Sequence, residues 1–189
     1  MTDAVKIVLN EVKQIASFDD LERDHIDDAI QWITNDGNIF RISKPDNPPK
    51  HLVSYFVIYD KTTKKIMLID HLKARAWLPS GGHVEIDEDP KVTVEREAYE
   101  ELKLVSKFDV IGGQPLFITV TKTKPPHTHT DVSLWYVISG DSKATYDFDA
   151  SEMNGYRWFG IDEIMNMEIE FLDPHMKRFT HKFTQSINL

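Results

Sequence analysis

Residues 77 to 104 read Trp-Leu-Pro-Ser-Gly-Gly-His-Val-Glu-Ile-Asp-Glu-Asp-Pro-Lys-Val-Thr-Val-Glu-Arg-Glu-Ala-Tyr-Glu-Glu-Leu-Lys-Leu, and this stretch sets the expectations for the rest of the chain. Gly81 and Gly82 predict a turn in which backbone groups can approach a ligand closely. Asp89-Pro90 marks a helix start, because Asp accepts backbone N–H bonds at the cap and Pro suits the first helical position. At about 100° per residue, Glu97, Glu100 and Glu101 share one arc of that helix, and Val94, Ala98 and Leu102 form an apolar stripe beside it. One edge of the helix therefore packs on a core while the next presents three carboxylates. Such a cluster repels itself unless a cation or a proton is shared among the acids. A solvated acidic face is the common outcome for glutamates at this spacing. The glycines just upstream shift the reading toward a metal or phosphate site, and hard oxygen ligands on a rigid helix suit Mg2+ or Mn2+.

Gly82, Glu88 and the run Arg96-Glu97-Ala98-Tyr99-Glu100-Glu101-Leu102-Lys103-Leu104 resemble the Nudix box. That pattern is Gly, five positions, Glu, seven positions, then Arg-Glu-aliphatic-x-Glu-Glu-x-Gly-aliphatic. Every charged position matches, and Lys103 stands where the pattern has its second glycine. A left-handed helix end costs a non-glycine residue about 1 kcal/mol, which puts the end of this helix in question.

The resemblance implies a fold and a chemistry. The fold is an α/β/α sandwich with a mixed sheet. The chemistry is hydrolysis of a nucleoside diphosphate linked to another group, or of a (d)NTP, at the pyrophosphate linkage. By the same resemblance, Glu97, Glu100, Glu101 and the Gly81 carbonyl hold Mg2+ or Mn2+. Gly82 and Glu88 are structural positions of the box, with Glu88 and Arg96 as an orienting pair. The general base is either Glu97 or an acidic residue in a distant loop, where Glu152 of Asp149-Ala-Ser-Glu-Met-Asn154 is the candidate. The catalytic set is thus Glu97, Arg96 and Glu152. The Gly81-Gly82-His83 spelling is similar to a bacterial subgroup of the family. A non-hydrolytic nucleotide-binding regulator on the same fold is the alternative, and retention of every box carboxylate counts against it.

His83 and His129 are the candidates for contact with substrate. His127, His129 and Asp131 also have a spacing that could hold a metal on a strand edge. The sequence offers no further ligands nearby, which argues against a zinc site. Phe40, Arg41, Trp77 and Trp135 could stack on a base, although most aromatic side chains at such positions are core.

At 189 residues with 41% apolar content, the chain is expected to form one domain with an extension. The boundaries expected are 1–50 for an N-terminal helical extension and 51–189 for the Nudix domain with its C-terminal helix. The default for the extension is packing on the body, with a homodimer contact or a wall of the pocket as alternatives. The chain has no cysteine, hence no disulfide and no thiol nucleophile. Nothing resembles a signal peptide or a membrane span, so a soluble cytoplasmic protein is expected. A net charge of −9 argues against nucleic-acid binding, whereas a small nucleotide can still be held through a bridging metal ion.

Along the chain, apolar spacing predicts helices over 2–18 and from Asp19 or Asp20 to Thr34, the second stopped by Asn35-Asp36-Gly37-Asn38. Strands are expected at 52–59, 65–72, 108–111, 116–121, 132–138 and 155–159, with a hairpin at 60–64. A short helix near 162–165 and a last helix opening at Asp173-Pro174 complete the pattern.

Overall fold

The structure, a computed structural model, describes residues 1–43, 46–123 and 128–188. Helices α1 (Asp3–Gln14) and α2 (Asp20–Asp36) precede strands β1 (Lys50–Asp60), β2 (Lys65–His71), β3 (Ala76–Leu78) and β4 (Ser80–His83). Helix α3 (Pro90–Leu102) follows, then β5 (Phe117–Lys122), β6 (Thr130–Ser139), β7 (Met153–Gly160), α4 (Ile161–Asn166), a short 3-10 turn and α5 (Met176–Ser186). The strands form one seven-stranded sheet of order β3-β2-β1-β6-β5, with β4 paired to β1 and β7 paired to β2. The β1–β2, β2–β3, β2–β7 and β5–β6 pairs are antiparallel, and an isolated parallel bridge joins Trp77 to Leu172. This is the expected mixed sheet with flanking helices.

The chain divides into two compact units. The first comprises residues 1–55, 82–94 and 114–136. Its helices begin as their sequences dictate. Thr2 Oγ1 accepts from the Val5 amide, and Asp19 Oδ1 accepts from Glu22 at 2.8 Å. Glu22 then does two jobs. One carboxylate oxygen accepts from the Phe18 amide at 2.6 Å, and the other accepts from the Ile118 amide of β5, so a fully buried acid is satisfied by backbone donors. The Phe18 bond also accounts for α1 ending at Gln14 rather than running to Phe18: the residues between turn the chain into α2. Trp135 and Phe40, weighed above as stacking residues, are core. The Trp135 indole donates to Thr119 Oγ1 and its ring lies edge-on to Tyr55 and Phe117.

The second unit comprises residues 56–81, 95–113 and 137–189. Here Phe179 stacks on Phe183, which meets Tyr59 edge to face. Helix α5 starts at Met176 and not at Pro174, because Asp173 Oδ1 accepts from the His175 amide and holds the preceding turn. Residues 108–111, expected as a strand, pair with no ladder. Within them Lys61 donates to both the carbonyl and the carboxylate of Asp109, and just before them the Ser139 amide donates to the Lys107 carbonyl. Gly81 and Gly82 lie in strand β4 and not in a turn, since pairing with β1 supplies a ladder that the local sequence does not announce.

Helix α3 meets its expectations and settles one question. Asp89 Oδ1 accepts from the Lys91 amide, and Val94, Ala98 and Leu102 are buried. Lys103 takes the left-handed conformation with φ of 51° despite its side chain. Its amide donates to the Tyr99 carbonyl, the Leu104 amide donates to Ala98, and its ammonium lies over the Tyr99 ring. The helix therefore ends as a glycine would end it, with the strain retained. Lys103→Gly is expected to raise stability by about 1 kcal/mol, less whatever the ammonium contacts contribute, read as a shift in the urea midpoint at constant slope.

Glu11 on α1 is buried and accepts a 2.9 Å hydrogen bond from the Tyr136 hydroxyl. Burial, opposed by that bond, pushes its carboxyl up to about 7 from an ordinary 4.5. The folded state therefore holds this proton more tightly than the unfolded chain, so stability falls as pH rises from the ordinary carboxylate range to about 7 and levels off above it. Glu11→Gln is expected to remove up to about 3 kcal/mol of that decline. Urea melts of the two proteins at the two ends of the window check it.

Candidate active site and a histidine cluster

The second unit assembles the carboxylates. On α3, the Arg96 guanidinium donates to Glu97 at 2.6 Å and reaches Glu100 at 3.5 Å, so one cation bridges two of the three predicted acids. Glu97 is largely enclosed, whereas Glu100 is open to solvent. Glu101 accepts a 2.6 Å hydrogen bond from the Ser80 hydroxyl of β4, one residue before Gly81. The loop before β7 is tied to the same helix end, where the Asp149 amide donates to the Glu101 carbonyl. Within that loop the Glu152 amide donates to the Asp149 carbonyl, and the Leu72 amide donates to that of Glu152. A cavity of about 190 Å³ opens beside this end of α3, lined by Glu100, Lys103, Asp147, Phe148 and Asp149.

Electrostatics binds these residues into a set. Burial pushes the Glu101 carboxyl up to about 8; the Ser80 bond opposes the shift, and the charges of Glu97, Glu152 and Asp149 add to it. Glu152, proposed from sequence as a loop acid, is thus within electrostatic range of the helix acids. Ser80 and Asp149 were not singled out from sequence, and nothing local marks them, since each gains its meaning from what lies across the fold. All these donors are hard oxygens around a half-buried carboxyl. That donor set fits Mg2+ or Mn2+. In the first unit, Glu88 closes the entry to the helix, accepting from the Glu85 amide and from the Thr93 hydroxyl at 2.7 Å.

His83 and His129 are expected from sequence as substrate contacts. Both belong to the first unit, where they meet His51 and Asp131. Each of the four offers a ligand atom, and these atoms all lie within 4.8 Å of one another. His51 Nε2 is 3.3 Å and His129 Nε2 is 3.2 Å from Asp131 Oδ1. The His51 ring lies 4.8 Å from that of His83 and 5.0 Å from that of His129. Burial, with the charges of Arg41 and His51, lowers His83 to about 3, so it is neutral at ordinary pH. Burial lowers His51 too, but Asp131 and the Pro48 carbonyl outweigh it and leave its affinity for a proton raised. Sequence spacing pointed to His129 and Asp131 but judged the ligand set too small for zinc. The missing members, His51 and His83, come from β1 and β4. His127 lies outside the described residues.

Among the described residues, no helix is long and apolar enough to cross a membrane. The model of the NUDIX domain matches residues 49–183. Among curated proteins, nothing matches the sequence. Among solved structures, the fold is similar to a NUDIX-family hydrolase from Clostridium perfringens, 21% identical with a TM-score of 0.53, covering 73% of this chain and 96% of that one. It is also similar to a MutT protein from Methanosarcina mazei Go1, at 19% identity and a TM-score of 0.54, over 71% of this chain and 92% of the other. An Ap4A hydrolase from C. elegans, 15% identical, superposes with a TM-score of 0.56 over 72% of this chain and 97% of its own. At these identities the structures speak for the fold, while the domain match spans most of the chain and takes in every residue of the box on α3. The chain belongs to the Nudix hydrolase family.

Proposed function

We propose that this enzyme is a metal-dependent hydrolase of the pyrophosphate linkage in a nucleoside diphosphate joined to another group, or in a (d)NTP. The observation that carries the reading is the crowding of acids at Glu101: a half-buried carboxyl, bonded to the Ser80 hydroxyl, whose ionisation is opposed first by desolvation and then by its neighbours Glu97, Glu152 and Asp149. Like charges are gathered there at a cost that a divalent cation offsets. Glu97, Glu100 and Glu101, with the Gly81 carbonyl, are the residues that would hold it. A bound Mg2+ or Mn2+ supplies charge neutralisation at the diphosphate and lowers the pKa of a coordinated water.

The chain's own groups divide the remaining work. Arg96 fixes the Glu97 and Glu100 carboxylates in one orientation, which keeps ligand geometry from relaxing between turnovers. The Ser80 hydroxyl holds one Glu101 oxygen and so directs the other. We assign the proton of the attacking water to Glu152, whose loop is pinned to the end of α3 through Asp149, with Glu97 as the other candidate base. Gly82 and Glu88 serve the box as structure, Glu88 by fixing the approach to the helix.

Two variants test this. Glu100→Gln is expected to abolish release of nucleotide or phosphate from a panel of nucleotide sugars, ADP-ribose, dinucleoside polyphosphates and oxidised (d)NTPs assayed with Mg2+ or Mn2+. A wild-type chain silent across that panel, yet stabilised by nucleotide, overturns the enzymatic reading in favour of a binding protein. Glu152→Gln is expected to lower kcat by about 100-fold with KM little changed. Full turnover in that variant removes Glu152 from the proton transfer.

A further inference from the structure

We propose that His51, His83, His129 and Asp131 form a tetrahedral site for a first-row transition-metal ion of the zinc type, distinct in its ligands from the carboxylate set on α3. Three features of the cluster support it. The first is spacing. With metal–nitrogen bonds of about 2.0–2.1 Å, donors on a tetrahedron sit about 3.3 Å apart. The two contacts to Asp131 Oδ1, at 3.3 and 3.2 Å, already have that length, and the widest pair, within 4.8 Å, has to draw in by about 1.5 Å or less.

The second feature is the outer layer of hydrogen bonds. His51 Nδ1 lies 2.8 Å from the Pro48 carbonyl, which only a protonated Nδ1 can satisfy, so Nε2 keeps its lone pair on the side of the cluster. His129 Nδ1 lies 3.2 Å from the Thr123 hydroxyl and 3.3 Å from Asp46 Oδ1, while its Nε2 faces Asp131. A carbonyl or carboxylate behind the ring is the arrangement that orients metal-ligating histidines. His51 Nε2 and Asp131 Oδ1 are buried and face each other, yet form no aligned hydrogen bond. Two buried polar atoms at this separation are satisfied together by one ion between them.

The third feature is support. His51 sits in β1, His83 in β4 and Asp131 in β6, strands joined in one sheet. The Val84 amide donates to the Leu52 carbonyl, and the Thr130 amide donates to the Pro49 carbonyl. His129 is held just ahead of β6 by paired bonds with Thr123. Imidazole donors with one carboxylate select a zinc-like ion over Mg2+. Four protein ligands leave no open position, so the site is structural, a clamp joining the starts of β1 and β6 to the end of β4. The Arg41 charge reaches His51 and His83 and opposes the ion; the Asp131 and Asp46 carboxylates oppose Arg41.

The test uses the full chain, stripped with chelator and titrated with Zn2+ in excess Mg2+, with Co2+ as an optical probe. The expected result is one Zn2+ per chain, thermal stabilisation on binding, and the intense visible bands of four-coordinate Co2+. Asp131→Asn and His129→Ala are expected to weaken Zn2+ by about 100-fold or more, and Asp46→Asn by about 10-fold. Glu100→Gln is expected to leave it unchanged. Weak six-coordinate Co2+ bands in the wild-type chain overturn the proposal whether or not the variants fold. So does Zn2+ binding that survives His129→Ala, or that is lost in Glu100→Gln. None of these readouts depends on hydrolysis, so this site and the proposed reaction stand or fall separately.

Discussion

Repulsion between carboxylates on one turn of helix α3 is the constraint that the functional structure answers. Two devices place the acids. Glu97 and Glu100 share the Arg96 guanidinium, whereas Glu101 is half-buried against the Ser80 hydroxyl, where desolvation raises its affinity for a proton. Arg96 reduces the repulsion without removing it, because Glu152 and Asp149 add negative charge from the loop before β7. A surface that merely displayed acids would leave them solvated and apart; here one is enclosed and others are gathered round it.

The cap of the same helix illustrates how little a local rule weighs against packing. Lys103 adopts a left-handed backbone that a glycine would take freely. The buried stripe of Val94, Ala98 and Leu102 fixes where the helix lies, and the bonds from the Lys103 and Leu104 amides close its end. A strain of about 1 kcal/mol is small beside the burial of three apolar side chains.

The histidine cluster depends on β-sheet geometry instead of helical spacing. Histidines at positions 51, 83 and 129 are strangers in sequence, and only strand pairing makes them neighbours. Once adjacent, His51 is backed by the Pro48 carbonyl and His129 by Thr123 and Asp46. The fold thus gathers hard oxygen donors in one unit and imidazoles in the other, two donor sets that discriminate between kinds of metal ion.

What the chain alone determined is what periodicity and local chemistry can encode. The start of α3 at Asp89-Pro90, its buried stripe, the arc of glutamates, the hairpin at 60–64 and the capped helix beginning at Asp20 follow from side chains acting within one or two turns of themselves. The box likewise identifies itself, since its residues occupy one continuous stretch. Tertiary structure decided whatever needs a partner from elsewhere. Gly81 and Gly82 became a strand because β1 offered a ladder, residues 108–111 did not because none was offered, and Ser80, Asp149 and His51 gained their roles from residues up to dozens of positions away. A backbone hydrogen bond in a sheet, or a ligand atom in a cluster, is a relation between distant segments. No local spacing carries that information, because the energy that selects it appears only when the segments meet.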